Sequence, residues 1–245
     1  MAKPFVNPFV SGQFLELRVD VLVSDGRGLG RHDGVVVLVE DALPGQLVRA
    51  RVAAVRKSLA EAALVEVLER SPDEQEPPCP HAGRCGGCSW QSLAYDRQLA
   101  WKERIVHDAL ERVGKVACPP MLPILSSPSE WGYRNKMEFA FGVSGDCGKA
   151  LGLRERGSRN IVEVTGCLLQ TPLTMRVLEA VRMLSNGAFH DLDGRFLVVR
   201  EPNAGGCFVE LIVGAGGGLE AGERFAAALR TEIPEVTGFA LSERL

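Results

Sequence analysis

Three cysteines fall within ten consecutive residues, Cys79, Cys85 and Cys88 in PCPHAGRCGGCSW (78–90), and whatever they hold constrains how the chain on either side can run. The spacing is C-x5-C-x2-C. A C-x2-C loop brings two thiolates onto one centre, and the intervening Gly86 and Gly87 let the backbone curl with positive φ so that N–H groups point at sulfur. A third thiol upstream adds another corner. The fourth ligand must be His81 or one of Cys118, Cys147, Cys167 and Cys207. Cys118, Cys147 and Cys207 read as a turn, a hairpin tip and a strand start. Cys167, in VEVTGCLLQTP, follows an expected strand and leads into a helix cap, a fixed point from which to reach a cluster. The residues alone give it a slight preference, and four thiolates serve zinc and iron–sulfur equally.

Seven cysteines are an odd number, and a disulfide framework explains them poorly. No apolar run approaches the roughly 20 residues that span a bilayer. The start, MAKPFVNPFVSGQ, lacks the apolar core and cleavage site of a secretory signal. A cytoplasmic, membrane-free monomer is expected. The net charge of −3 disfavours a general polyanion binder, yet it is unevenly spread. Residues 80–160 hold 12 Lys+Arg against 8 Asp+Glu, net +4, and residues 161–245 hold 7 against 11, net −4. The middle of the chain repels a phosphate backbone least.

Three segments are expected. Over 1–71, FLELRVDVLV (14–23) alternates, with Leu15, Leu17, Val19, Val21 and Val23 on one side. A glycine-rich turn SDGRGLGRHDG, the apolar run Val35–Val39, the turn ALPGQ and the strands LVRARVAAV and AALVEVLE follow. Such short, closely connected strands predict an OB-like β-barrel. Over 72–92 lie an acidic, proline-rich linker and the cysteine loop. Over 93–245 an α+β central domain is expected. It starts with a helix whose face carries Tyr95, Leu99, Lys102, Val106, Ala109 and Val113 and ends at Gly114. Strands NKMEFAFGV, IVEVTG, RFLVVR, CFVELIV and VTGFAL and a helix LEAGERFAAALR follow. Among them lies TPLTMRVLEAVRMLSNG, a helix with Thr171 as N-cap, Pro172 in the first turn and Asn186-Gly187 as its stop.

The segment CPHAGRCGGCSWQSLAYDRQLAWKERIV (79–106) resembles the iron–sulfur segment of the RNA uracil-5 methyltransferases. These S-adenosylmethionine enzymes make 5-methyluridine in ribosomal and transfer RNA. The family pattern appears here as Cys79, Cys85, Gly86, Gly87, Cys88, Gln91, Tyr95, Gln98, Leu99 and Lys102, with the Y-R-N-K strand as Tyr133, Arg134, Asn135 and Lys136. The resemblance implies a [4Fe–4S] cluster, with zinc as runner-up, and places the fourth ligand at Cys167. It identifies DGRGLGRHDGVVVLVEDALPGQLVRARV as similar to the TRAM domain, an OB-like RNA-binding barrel. The linker SPDEQEPPCP departs from the family by lacking its usual basic residue.

In that family S-adenosylmethionine binds a C-terminal Rossmann-like domain, whose cysteine adds to uracil C6 and whose carboxylate removes the C5 proton. No cysteine here has the family's nucleophile context. The expectation is therefore that the catalytic Rossmann-like domain, its catalytic residues and its cofactor-binding residues are not in this chain, and that the chain alone is inactive. Gly216-Gly217-Gly218-Leu219-Glu220-Ala221 matches G-x-G-x-x-A, but only 24 residues follow Ala221. It reads as a glycine-rich surface turn.

The expected partner is a structured loop of ribosomal or transfer RNA. Residues 15–70 contain no Phe, Trp or Tyr and hold 8 basic against 9 acidic side chains, so barrel contacts are expected to be weak and backbone-led, through Arg27, Arg31 and His32. Trp131, Tyr133, Arg134 and Lys136 set aromatics beside cations, and Arg134 and Lys136 would share one strand face. Arg154, Arg156 and Arg159 form a second basic loop. Two roles fit the cluster, a structural staple and a redox centre, and because methylation in the family involves no net redox change the staple is the stronger reading. Two other functions fit the same residues, a stand-alone RNA-binding protein with a structural zinc held by four cysteines and a small iron–sulfur electron carrier.

Overall fold

The computed structural model describes residues 7–117, 120–144, 149–216 and 219–244. Cys118, Cys147, Gly217 and Gly218 lie outside the described residues. Two compact units emerge, Met1–Pro78 with Ser89–Ser126, and Cys79–Cys88 with Ser127–Leu245. They do not coincide with the boundaries expected after residues 71 and 92. The cysteine loop belongs to the second unit, and the helix after it belongs to the first.

In the first unit, β1 (Phe14–Leu22), β2 (Gly28–His32), β3 (Val35–Glu40), β4 (Leu47–Val55) and β5 (Leu59–Glu69) close into a barrel in the order β1-β2-β3-β5-β4. Alternation in β1 buries Leu15, Leu17 and Val19 and exposes Glu16, Arg18 and Asp20. The expected alternation does not continue through Val21. The β1–β2 register shifts between Val19 and Val21, and Leu22 turns inward instead. It packs with Leu43, Leu93 and Trp101, where α1 (Tyr95–Asp108) docks. Trp101 is the one buried residue of that helix, while Val106 and Val113 of the expected face are exposed. The indole carries the most apolar surface, so the helix is oriented to cover it. A π-helical turn, Ala109–Val113, continues α1 to Gly114.

The glycine-rich segment read as one turn holds a turn at 24–26, the strand β2, and a second turn. A Cβ on Gly30 would stand 2.1 Å from the Arg18 carbonyl oxygen, so the missing side chain lets β2 close on β1. The second turn is Asp33-Gly34, both with positive φ (49° and 79°), which matches the twist of a two-residue hairpin.

The second unit is a six-stranded sheet in the order β11-β10-β9-β6-β7-β8, formed by β6 (Lys136–Val143), β7 (Lys149–Arg154), β8 (Ile161–Val162), β9 (Gly194–Arg200), β10 (Cys207–Gly214) and β11 (Val236–Arg244). Helices α2 (Pro172–Asn186) and α3 (Leu219–Glu232) cover one face. Val177, Leu178, Val181, Phe225 and Leu229 pack there on Phe139, Leu197, Val199, Val209 and Leu211. Thr171 caps α2 by accepting the Thr174 N–H at 3.2 Å. The opposite face carries Lys136, Glu138 and Ala140 of β6, paired across to Arg200, Val198 and Phe196 of β9.

One expectation for this half is corrected. The segment IVEVTG is a strand only at Ile161–Val162. The expected strand, helix and strand of the last forty residues are β10, α3 and β11, and the two strands pair in parallel as one βαβ unit. Among the described residues no helix is long and apolar enough to cross a membrane.

Gly30→Ala is expected to lower the stability of the first unit by about 2 kcal/mol, because the new methyl overlaps backbone rather than a movable side chain. Urea unfolding measures this, and an unchanged midpoint contradicts the close approach.

Candidate functional site

The Cys79–Cys88 loop is built from turns followed by a strand-like pairing. Ala82 N–H donates to the Cys79 carbonyl at 3.0 Å, and Cys85 N–H to that of His81 at 2.9 Å. Gly83 takes the left-handed conformation, φ 81°. Gly86 and Gly87 do not, contrary to expectation, yet Gly87 N–H reaches the Cys85 sulfur at 3.4 Å. The loop then pairs with the chain leaving β7. Gly86 N–H donates to the Arg154 carbonyl at 3.0 Å, Arg156 N–H to that of Arg84 at 2.8 Å, and Cys85 bridges Glu155. The Arg156 guanidinium donates to the Cys88 carbonyl.

Cys167 is delivered by a segment held from two sides. Arg182 of α2 donates from Nε to the Leu151 carbonyl at 2.9 Å and from Nη1 to the Val164 carbonyl at 3.1 Å. Thr165 N–H donates to His81 Nε2 at 3.2 Å. That bond engages the Nε2 lone pair, so His81 anchors the segment rather than offering this nitrogen as a ligand. Arg182 was missed in the sequence, although an arginine beside the buried stripe Val177, Leu178 and Val181 is the available signal.

Cys79, Cys85, Cys88 and Cys167 are half-buried and free of disulfides. Burial pushes the Cys167 thiol up. The N–H of Leu169 at its sulfur opposes this, and the charges of Cys88, Cys79 and Cys85 add to it. Burial likewise pushes Cys85 up, opposed by the Gly87 N–H and reinforced by Cys88 and Cys79. The four sulfurs thus lie within electrostatic reach of one another, and backbone N–H groups face two of them. Among the described residues, no group of three or more His, Cys, Asp or Glu is gathered closely enough to hold a single metal ion. Cys207 lies apart, fully buried in the core under α2 and α3, and burial pushes its thiol up to about 11.

The residues expected to touch RNA divide between the units. In the first, Arg27 is paired with Asp25 at 2.6 Å, and this bond holds the Asp25 carboxyl below its usual value. Arg31 donates to the Gly34 carbonyl at 3.3 Å, and His32 Nδ1 lies 2.9 Å from the Glu16 carbonyl. All three are engaged with the barrel itself. In the second, the stretch Trp131–Arg134 runs beside the Cys167 loop, with Gly132 N–H on the Leu168 carbonyl at 2.8 Å and Arg134 N–H on that of Leu169 at 3.0 Å. Trp131 is half-buried and Tyr133 exposed. Arg134 precedes β6, so it does not share a strand face with Lys136 as expected. Arg154 donates to the Arg159 carbonyl at 3.1 Å, and Arg154 and Arg156 flank the cysteine loop.

Residues 8–65 match the TRAM domain model. The chain is 45% identical to an uncharacterized RNA methyltransferase of Nitratidesulfovibrio vulgaris, over 95% of this chain and 52% of that protein. It is 37% identical to the 23S rRNA (uracil(1939)-C(5))-methyltransferase RlmD of Acidithiobacillus ferrooxidans, over 75% of this chain and 41% of that protein. Its fold is similar to that of a tRNA (uracil-54, C5)-methyltransferase from Pyrococcus abyssi, solved in complex with S-adenosyl-L-homocysteine. The TM-score is 0.60 at 22% identity, covering 85% of this chain and 48% of that one. The chain spans about half the length of the curated relatives it matches.

These findings correct the expected fold class, which set the chain apart from a methyltransferase's catalytic fold. Alignment with an RNA methyltransferase along 95% of the chain, and with the fold of a solved one along 85%, overturns that exclusion and leaves the inferred inactivity without support.

The raised Cys207 thiol gives a pH signature. Its folded value of about 11 exceeds the ordinary 9.0, so the folded state binds the proton more tightly and stability falls as pH rises between them. Comparing urea midpoints of the parent and Cys207→Ala across pH 8–11 should show a larger loss in the parent. Parallel curves contradict it.

Proposed function

We propose, for a chain that matches the TRAM domain model and is similar to RNA methyltransferases, that it serves the transfer of a methyl group from S-adenosylmethionine to C5 of a uridine in structured ribosomal or transfer RNA. In this reading Cys79, Cys85, Cys88 and Cys167 hold a [4Fe–4S] cluster. The observation that carries it is the delivery of Cys167 to the C-x5-C-x2-C loop, which places four thiols in one electrostatic neighbourhood with N–H groups at Cys85 and Cys167. Four thiolates serve zinc as well as iron–sulfur, and the resemblance of the C-x5-C-x2-C segment is what favours the cluster.

The cluster acts as a staple. It joins residues 79–88 to residue 167, and a cross-link over a loop of that size is worth about 4–5 kcal/mol in chain entropy. When bound, it supplies thiolate–iron bonds that offset burial of four charged sulfurs. Arg156 and His81 hold the two segments in register, and Trp131, Tyr133, Arg134 and Lys136 with Arg154, Arg156 and Arg159 offer aromatic and cationic contacts to RNA. Arg27, Arg31 and His32 would guide the phosphate backbone on the barrel, with their present bonds exchanged for it.

Two outcomes are expected. Cys167→Ser, purified anaerobically, should lose the brown visible absorption and unfold at a urea concentration lower by several kcal/mol equivalent. Retained iron contradicts the ligand assignment, and stoichiometric zinc in the parent contradicts the cluster. Deleting the gene should remove 5-methyluridine from one position in ribosomal or transfer RNA, read by mass spectrometry of digested RNA. Unchanged 5-methyluridine contradicts the function.

A further inference from the structure

The uncovered face of the second unit's sheet meets the cysteine loop in a groove of about 450 Å³. Its floor is Ala140 and Phe196, one rim is Gly86-Gly87 with Arg154 and Arg156, and Glu138 stands at the side. Ala140 pairs directly with Phe196 and Glu138 with Val198, so Glu138 and Phe196 are diagonal neighbours on one face, a spacing of about 7–8 Å. The Arg244 guanidinium lies 5.4 Å over the Phe196 ring. Glu155 is bound to Ser158 and Asn160, whereas Glu138 has no hydrogen-bond or ion-pair partner among the described residues.

We propose that this groove holds one unpaired guanine of the RNA, next to the cysteine loop. The inference rests on the RNA-modifying function above and adds which base the chain reads. An aromatic ring and a guanidinium plane are the surfaces on which splayed-out RNA bases stack. Arg154 and Arg156 at the rim complement the phosphates on either side. The open carboxylate selects the base. Guanine presents N1–H and N2–H donors side by side on its Watson–Crick edge, matching the two oxygens of Glu138. Uracil offers one N–H between two carbonyls, and adenine and cytosine each set a ring nitrogen acceptor beside their amine, which a carboxylate repels. Nothing local in the sequence hints at this, since Glu138 and Phe196 lie far apart in the chain and only strand register joins them.

Fluorescence anisotropy with the full chain tests it, using labelled single-stranded RNA octamers of uridine carrying one central guanosine, inosine or adenosine. Guanosine should bind about tenfold tighter than adenosine, with inosine, which lacks the N2 amine, between them. Glu138→Gln should abolish the preference while leaving affinity for the adenosine octamer within about twofold. Phe196→Leu should weaken all three octamers about tenfold, and Phe196→Tyr should restore them. A guanosine preference that survives Glu138→Gln, no preference in the parent, or equal displacement of RNA by polyglutamate each overturns the inference. RNA binding without guanosine preference, together with loss of 5-methyluridine on gene deletion, overturns the groove alone. Unchanged 5-methyluridine overturns the function on which it rests.

Discussion

The placement of the cysteines depends on one small piece of backbone pairing, the Cys85–Glu155 bridge flanked by the Gly86 N–H on Arg154 and the Arg156 N–H on Arg84. This pairing turns a short loop from elsewhere in the chain into an extra edge of the sheet's β7 end. Thr165 N–H on His81 then fixes the approach of Cys167 from the other side. Without these bonds, the thiols would belong to segments with no reason to meet. With them, the sulfurs are placed by the fold and not by a ligand alone, which is what a preorganised site requires.

Charge on these four sulfurs is electrostatically costly. Burial and mutual repulsion both raise the Cys85 and Cys167 thiols, so four adjacent thiolates are disfavoured unless a cation or cluster offsets their charge. The Gly87 and Leu169 N–H groups work in the opposite sense, favouring charge on sulfur. Cys207 is the contrast within the same unit, since it sits in apolar packing and the charges of Glu201 and Glu235 only raise it further.

What could be read in the sequence followed from local rules. Thr171, Pro172 and Gly187 mark α2 because capping is a short-range matter, and the alternation of Leu15, Leu17 and Val19 marks β1 for the same reason. The C-x5-C-x2-C spacing announced the loop. The failures came where a distant partner decides. Gly28–His32 read as a turn because the close approach to Arg18 that requires Gly30 is invisible locally. Leu22 replaced Val21 inside because of a bulge, and Trp101 set the orientation of α1. The strand, helix and strand of β10, α3 and β11 were legible locally, but the parallel pairing of the two strands was not. His81 and Arg182 gained their roles only from the partners that the fold brings to them.

The central claim is that Cys79, Cys85, Cys88 and Cys167 enclose a cage of several iron atoms. Iron K-edge X-ray absorption on anaerobically purified protein addresses it most directly. The account predicts an all-sulfur first coordination sphere together with clear iron–iron scattering. Iron bound by nitrogen or oxygen, or a sulfur shell without metal–metal scattering, would contradict it.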